Sequence, residues 1–419
     1  MILLGPHLAT AHARALLSAL GVDAAPVVQS DHPALAWRRA GFGDPMPRVA
    51  LTAAADGALA ALETLAAIDL PFRGAVLLGE RMRLLALPVP GRISANGRCR
   101  LIATADGMVA LNLPRADDWE LLPALFGADA ADWAAVEQCA RQMPSAALIA
   151  QARLLGLAIA DAAGEAAAVP FRIRRFATAP NRARPPLVVD LSGLWAGPLA
   201  GMLLGTLGAR VVKVESRARP DGARGGHTGF FDRLNAGKAS VMLDFADAGD
   251  RARLAQLIDA ADIVIEASRP RALAQLGIDA EAVAARGAVW LSITAHGRAV
   301  PAGDWIGYGD DAAIAGGLAA AMATPCFAGD AIADPLTGIT AALAAWAAWL
   351  AGGGQLISIA LAEVIAHALA TTDPGGETAD WAALAAADTA PLYPLRDAAS
   401  PAAALGADTD AVFAALSAR

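Results

Sequence analysis

The chain has 419 residues, 56% hydrophobic and 18% charged, with a net charge of −8. So few charges among so many apolar residues exclude intrinsic disorder, and three cysteines exclude a disulfide scaffold. The acidic balance, with a pI of about 5.3, excludes a phosphate-backbone binder, so no nucleic-acid partner is expected. At roughly 150 residues per domain, the length predicts two to three domains.

Met1 to Pro6 is too short an apolar run for a signal peptide and lacks a basic start. Cys99, Cys139 and Cys326 are far apart and lack metal-ligand spacing, so a cytoplasmic protein without a metal is expected. His7 to Leu20 and Ala58 to Ala67 read as Ala/Leu helices. Arg98 to Thr104 and Met108 to Leu113 read as strands joined by Asp106-Gly107, a hairpin signal. Ala116 to Phe126 and Ala131 to Met143 read as helices. Strand pairs followed by helices predict an α+β domain over 1–180. The polar, Pro-rich run Ala179 to Pro186 reads as a linker.

Residues 185–370 alternate regularly. Leu187 to Leu191, Ala209 to Glu215, Ser240 to Asp244, Asp262 to Glu266 and Val289 to Thr294 are short Val/Ile-rich runs, as buried parallel strands should be. Pro198 to Leu207, Arg251 to Ala260 and Pro270 to Leu276 read as the helices between them. This pattern predicts an α/β fold: a Rossmann-like, parallel, doubly wound sheet beside a smaller α+β domain. Pro335 to Leu361 is uncharged, but Gly352 to Gly354 interrupt it after about 16 apolar residues. A membrane span needs about 20. The stretch therefore reads as helix Thr337 to Leu350, a turn, and strand Gln355 to Ile359, with no membrane partner. Residues 371–419 read as a C-terminal arm ending in helix Asp408 to Ser417.

The turn Ser192 to Pro198 lacks the GxGxxG fingerprint of a dinucleotide site, which disfavours a nucleotide-dependent oxidoreductase. Pro198 suits a first helical turn. The helix N-terminus behind it can still meet a phosphate.

Four blocks together resemble the class III CoA-transferases: LVVDLSGLWAGPLAGMLLGTLGARVVKVE, NAGKASVMLD, ADIVIEASRP and ADPLTGITAALAAWAAWLAGGGQLISIALAE. They run in order from Leu187 to Glu363. RLIATADGMVALNLPRADDW resembles the family's small domain, which there follows the Rossmann-like half and here precedes it. Gly406 to Asp410 resembles the family's C-terminal ending.

The resemblance implies coenzyme A as a substrate with no tightly bound cofactor, an acyl-CoA and a carboxylic acid as partners, and a homodimer. It also implies a nucleophilic aspartate at Asp334. A carboxylate at the start of a long uncharged helix sits at the positive end of its dipole, which favours the ionised form. Apolar neighbours would leave it poorly solvated and reactive. Asp is also a common N-cap, and that reading of Asp334 stays open. CoA contacts carry over to Gly193, Leu194, Trp195 and Ala196, to Asn235 and Lys238, and to Arg269. The Asn-Phe pair often found before that Arg is Ala267-Ser268 here. Lys238 reads either as a CoA-phosphate ligand or as a solvated surface lysine.

Backbone N–H groups near Gly97, Gly309, Gly316 and Gly317 are candidate oxyanion donors. The family's racemases resemble one another in a His-Asp pair where this chain has Gly309-Asp310. The other base for racemisation would be His296, which reads as a surface histidine. Asp310 and Asp311 read as substrate-orienting or capping residues, and Cys326 as a buried structural thiol. The apolar run Leu318 to Phe327 suggests an acyl pocket. Three functions remain: CoA transfer, acyl-CoA racemisation or isomerisation, and a non-catalytic CoA-binding subunit.

Overall fold

The computed structural model describes residues 4–176, 184–376 and 378–417, so part of the expected linker Ala179 to Pro186 lies outside the described residues. Ten described strands form two sheets. They are β1 (Cys99–Ala103), β2 (Met108–Asn112), β3 (Ala158–Asp161), β4 (Arg172–Arg175), β5 (Leu187–Asp190), β6 (Arg210–Ser216), β7 (Ala239–Leu243), β8 (Ile263–Glu266), β9 (Val289–Thr294) and β10 (Gln355–Ala360).

The large sheet has the order β4-β10-β9-β8-β5-β6-β7. All its pairings are parallel except β4 on β10. Counted from β5, the six parallel strands stand 3-2-1-4-5-6, the doubly wound order, with its switch point between β5 and β8. Each central parallel strand alternates between two buried layers. Val188, Ile263, Ile265 and Leu291 face one side, packed on helices Ala196–Thr206 and Ala333–Leu350. Leu187, Val189, Val264 and Trp290 face the other, on helices Ala248–Ala260 and Thr409–Ser417. Burial on both faces is why these strands read as unbroken apolar runs.

The first 180 residues divide in two. Helices Leu4–Leu20, Leu51–Ala66 and Gly74–Leu84 join the large core instead of the small sheet. Their small residues permit close approach: a Cβ on Gly57 would lie 2.3 Å from the Ala9 carbonyl oxygen. Only the antiparallel sheet β1-β2-β3 and its helices form a separate α+β layer. The other face of that sheet, through Leu101, Ala110 and Ala160, rests on Ile314, Ala319 and Phe327.

Helix Ala333–Leu350, glycines 352–354 with φ of 95°, 71° and 63°, and β10 follow the expected helix–turn–strand reading. No described helix is long and apolar enough to cross a membrane. The single helix expected over Ala116 to Phe126 is two short ones, Ala116–Glu120 and Leu122–Phe126. Pro123 lacks the N–H a continuous helix would need.

Candidate active site

Asp334 lies in the first turn of helix Ala333–Leu350. It is not the N-cap: Ile332 holds that place, and no side chain caps this end. The Asp334 backbone N–H donates to the Ala331 carbonyl at 2.9 Å, and Ala331 has φ +44°. This left-handed turn puts the carboxyl at the floor of a cavity of about 340 Å³. Leu194, whose φ is +67°, lines the same cavity. Two non-glycine residues in this conformation at one site are a local strain that packing must hold. Gly309 is required by close approach: a Cβ there would lie 2.3 Å from Asp334 Oδ2.

The neighbours of Asp334 are acidic rather than apolar. Asp310 Oδ1 accepts from the Ala331 N–H at 2.9 Å, and its Oδ2 accepts from Asn96 Nδ2 at 3.0 Å. Asp311 Oδ1 accepts from Asn112 Nδ2 at 2.7 Å. Asp330 is fully buried and pairs with Arg81 at 2.5 Å. Burial, then Asp310, push the Asp334 carboxyl up to about 8, against the pull of Arg81. Burial, then Asp330, raise Asp310 to about 7, and burial raises Asp311 to about 7. The expectation that the helix dipole alone keeps Asp334 ionised is therefore corrected. Desolvation and like charge outweigh the half-charge of a helix end.

The small sheet folds over this floor. Asn96, in the loop before β1, and Asn112, ending β2, line the cavity together with Arg98. Trp195 lines it from the turn after β5, its ring edge-on to Phe230 at 5.1 Å. Of the residues expected from sequence, Leu194, Trp195, Asp310 and Asp334 share the cavity. Gly193 sits behind, 3.2 Å from Asp221 Oδ1 at a built Cβ, and Ala196 is buried at the helix start. Ala267, Ser268 and Arg269 follow β8 at the switch point and line no part of the cavity.

Several expectations are corrected. Lys238 is neither solvated nor a cavity residue. Its Nζ is buried 2.8 Å from Asp190 Oδ2 and 2.8 Å from the Pro198 carbonyl. Asn235 is buried, its Nδ2 donating to the Phe231 carbonyl. Gly316 packs on the Ala362 carbonyl and Gly317 beside Leu369, outside the cavity. Leu318, Met322 and Cys326 belong to the large core and Phe327 to the sheet-on-helix contact, so that run forms no acyl pocket. His296 is covered rather than surface-exposed. Trp305 meets it edge-on at 5.8 Å, and burial, then Arg153, lower it to about 4.

Arg81, Asn96, Asn112, Phe230 and Tyr308 also line the cavity, and nothing in the sequence pattern marks them as site residues. The family model of CoA-transferase family III matches residues 186–417, more than half of the chain. The chain belongs to CoA-transferase family III. Arg81, Asn96 and Asn112 precede the matched residues. A succinate–glutarate CoA-transferase of Agrobacterium fabrum is 32% identical over 221 residues, 46% of this chain and 54% of that relative. A succinyl-CoA–D-citramalate CoA-transferase of Chloroflexus aurantiacus is 30% identical over 42% of this chain and 48% of its own. A crystal structure of the Mycobacterium tuberculosis protein Rv3272 is 30% identical, with a TM-score of 0.41 over 45% of this chain and 57% of that one. The chain spans about half the length of these relatives.

Proposed function

We propose that this family III chain moves CoA from an acyl-CoA thioester to a free carboxylic acid, with Asp334 as nucleophile. The observation that carries this reading is the partly open Asp334 carboxyl on the cavity floor, beside the turn after β5. The carboxylate attacks the thioester carbonyl. A C–O bond forms, the C–S bond breaks, and CoA thiolate leaves a mixed anhydride. The thiolate then attacks Cγ of Asp334, and the first acid departs with the bridging oxygen. The acceptor carboxylate displaces thiolate from the aspartyl-CoA thioester, and the thiolate finally takes the acceptor's acyl carbon and frees Asp334. Each step exchanges one bond for another, which divides one difficult transfer into easier ones. No net proton moves.

Trp195 and Phe230 form an apolar wall for the pantetheine end or the acyl chain. Arg217 and Arg219 after β6, and Arg269 after β8, are exposed at the ends of nearby strands and suit the CoA phosphates. Ligands of open α/β sheets bind outside these strand ends. Arg219 lies close enough to Tyr308 to act on its phenol electrostatically. Arg98 is exposed on the cavity rim, and its guanidinium has no carboxylate partner among the described residues. That cation, and relatives named for succinate, glutarate and citramalate, favour short dicarboxylates as the first substrates to try. Isomerisation through Asp334 and His296 is disfavoured, because His296 lies outside the cavity.

An isotope experiment tests the route. An acceptor acid labelled in both carboxylate oxygens should leave one label in the Asp334 carboxylate, and that label should appear in the acid released over the following turnovers, because either Asp334 oxygen can bridge. Transfer without that label in the released acid would refute the aspartyl route.

A further inference from the structure

Among the described residues, one cation is ion-paired to the carboxylates under the cavity, and it comes from outside the family-matched residues. Arg81 lies in the last turn of helix Gly74–Leu84. Its Nη1 is 2.5 Å from Asp330 Oδ2. Asp330 is fully buried, and its Oδ1 has no hydrogen-bond partner among the described residues. The same guanidinium lies 5.5 Å from the Trp195 ring centroid and 5.6 Å from that of Phe230. Its side chain keeps 24% exposure, on the cavity that Asp334 floors.

We propose that Arg81 is a positioning residue for Asp334: it neutralises Asp330, and its stacking ties the Trp195 turn to the carboxylates on the cavity floor. The consequence for chemistry rests on the reading of Asp334 as nucleophile.

The charged groups facing Asp334 come from several elements. Asp310 and Asp311 come from helix Gly309–Ala315, and Asp330 from the segment before Ala333–Leu350. Tyr308, His227 and Arg98 line the cavity around them. His227 and Arg98 are exposed, so water screens them, whereas Arg81 is fixed by an ion pair with a buried acid. Without Arg81, Asp330 would be a buried charge with no counter-ion, next to two further acids. Its charge would then repel the nucleophile with nothing to offset it. An arginine suits this place better than a lysine, because a planar fork bonds a carboxylate and stacks on rings at once. Arg81→Lys therefore separates charge from stacking.

The test is carbodiimide labelling of Asp334 against pH, read by peptide mass spectrometry, beside the pH profile of kcat. Carbodiimide reacts with the protonated carboxyl and needs no catalytic turnover. In the wild type the labelling midpoint is expected near 8. Arg81→Gln should raise it by about one unit, as loss of a neighbouring opposite charge does. Arg81→Lys should restore most of that shift, and Asp330→Asn should move the midpoint down. Unmoved midpoints in folded Arg81→Gln and Asp330→Asn would overturn the proposal. If Arg81→Gln does not fold, an unmoved midpoint in Asp330→Asn overturns it alone. A midpoint that responds to Arg81 in a protein that never forms an acyl adduct would refute the transferase reading and leave Arg81's role standing. An adduct formed with unmoved midpoints would do the reverse.

Discussion

Two buried charge clusters lie on either side of the Trp195 turn. Behind it, Asp190 pairs with Lys238 at 2.8 Å and Asp221 with Lys213 at 2.9 Å, all four side chains no more than 3% exposed. Asp221 also accepts from the Leu194 N–H, and Lys213 donates to the Ser192 carbonyl, so these pairs hold the turn. Burial works against the Asp190 charge, but Lys238 and Lys213 outweigh it and hold its carboxyl below the usual range. Under the cavity, Asp310, Asp330 and Asp334 share Arg81, and every carboxyl is pushed up. Equal numbers of opposite charges make a scaffold. An excess of one sign, kept beside an opening, makes a group whose protonation responds to its surroundings.

The comparison breaks most sharply at Asp334→Asn. Transfer should fall at least about a thousandfold, as loss of a nucleophile does, while thermal unfolding at pH 8 shows no loss of stability. Lys238→Met should do the opposite. It strands Asp190 without a counter-ion, at a cost of about 3–5 kcal/mol in urea unfolding. Asp190→Asn added to it should recover much of that loss. A Lys238→Met protein as stable as the wild type would contradict the scaffold role.

Gly309→Ala should cost activity by about tenfold to a hundredfold together with a clear loss of stability, because its Cβ would lie 2.3 Å from Asp334 Oδ2 and 2.4 Å from the Ala331 carbonyl oxygen, which is backbone and cannot simply swing away. Steady-state kinetics beside thermal unfolding checks this. Arg219→Ala, in the exposed segment after β6, should raise KM for the acyl-CoA several-fold with kcat unchanged, and more so at low salt. An unchanged KM would remove Arg219 from the phosphate site.

Stability against pH sharpens the same contrast. Asp310, Asp311 and Asp334 have folded-state values of about 7, 7 and 8, above the unfolded value near 4. The folded chain binds more protons across that window, so their contribution is present at low pH and is lost as pH rises to about 8. His12 and His296 are lowered, chiefly by burial, to about 3 and 4, so stability also falls as pH drops below about 6.5. Between about 4 and 6.5 the two groups oppose each other. From pH 7 to 9 these carboxyls lower stability as pH rises, while Lys238, lowered chiefly by burial to about 8, works the other way above that value, and Asp334→Asn should remove its own share of the decline measured by urea unfolding.

The doubly wound sheet was legible because strands buried on both faces leave short Val/Ile runs, and β9 matches its expected range, Val289–Thr294. Strand β4 was not. Its residues Arg172 to Arg175 are mostly exposed, and charges on an edge strand mask its pattern. Asp334 and Trp195 were legible because sequence blocks surround them. Arg81 and Asp330 are 249 positions apart, and nothing local marks either as a partner of the other. Lys238 misled for a related reason: a buried pair and a ligand-binding lysine look alike until Asp190 is seen beside it.

The most direct measurement is trapping. The protein is incubated with succinyl-CoA and related short acyl-CoAs, treated with hydroxylamine or borohydride, and its peptides are mapped by mass spectrometry. A hydroxamate or reduced side chain is expected at Asp334, rising with pH through about 8 and absent in Asp334→Ala. No adduct at Asp334 with any donor, while CoA still binds, would contradict the aspartyl route and leave a CoA-binding subunit or proton-transfer chemistry in its place.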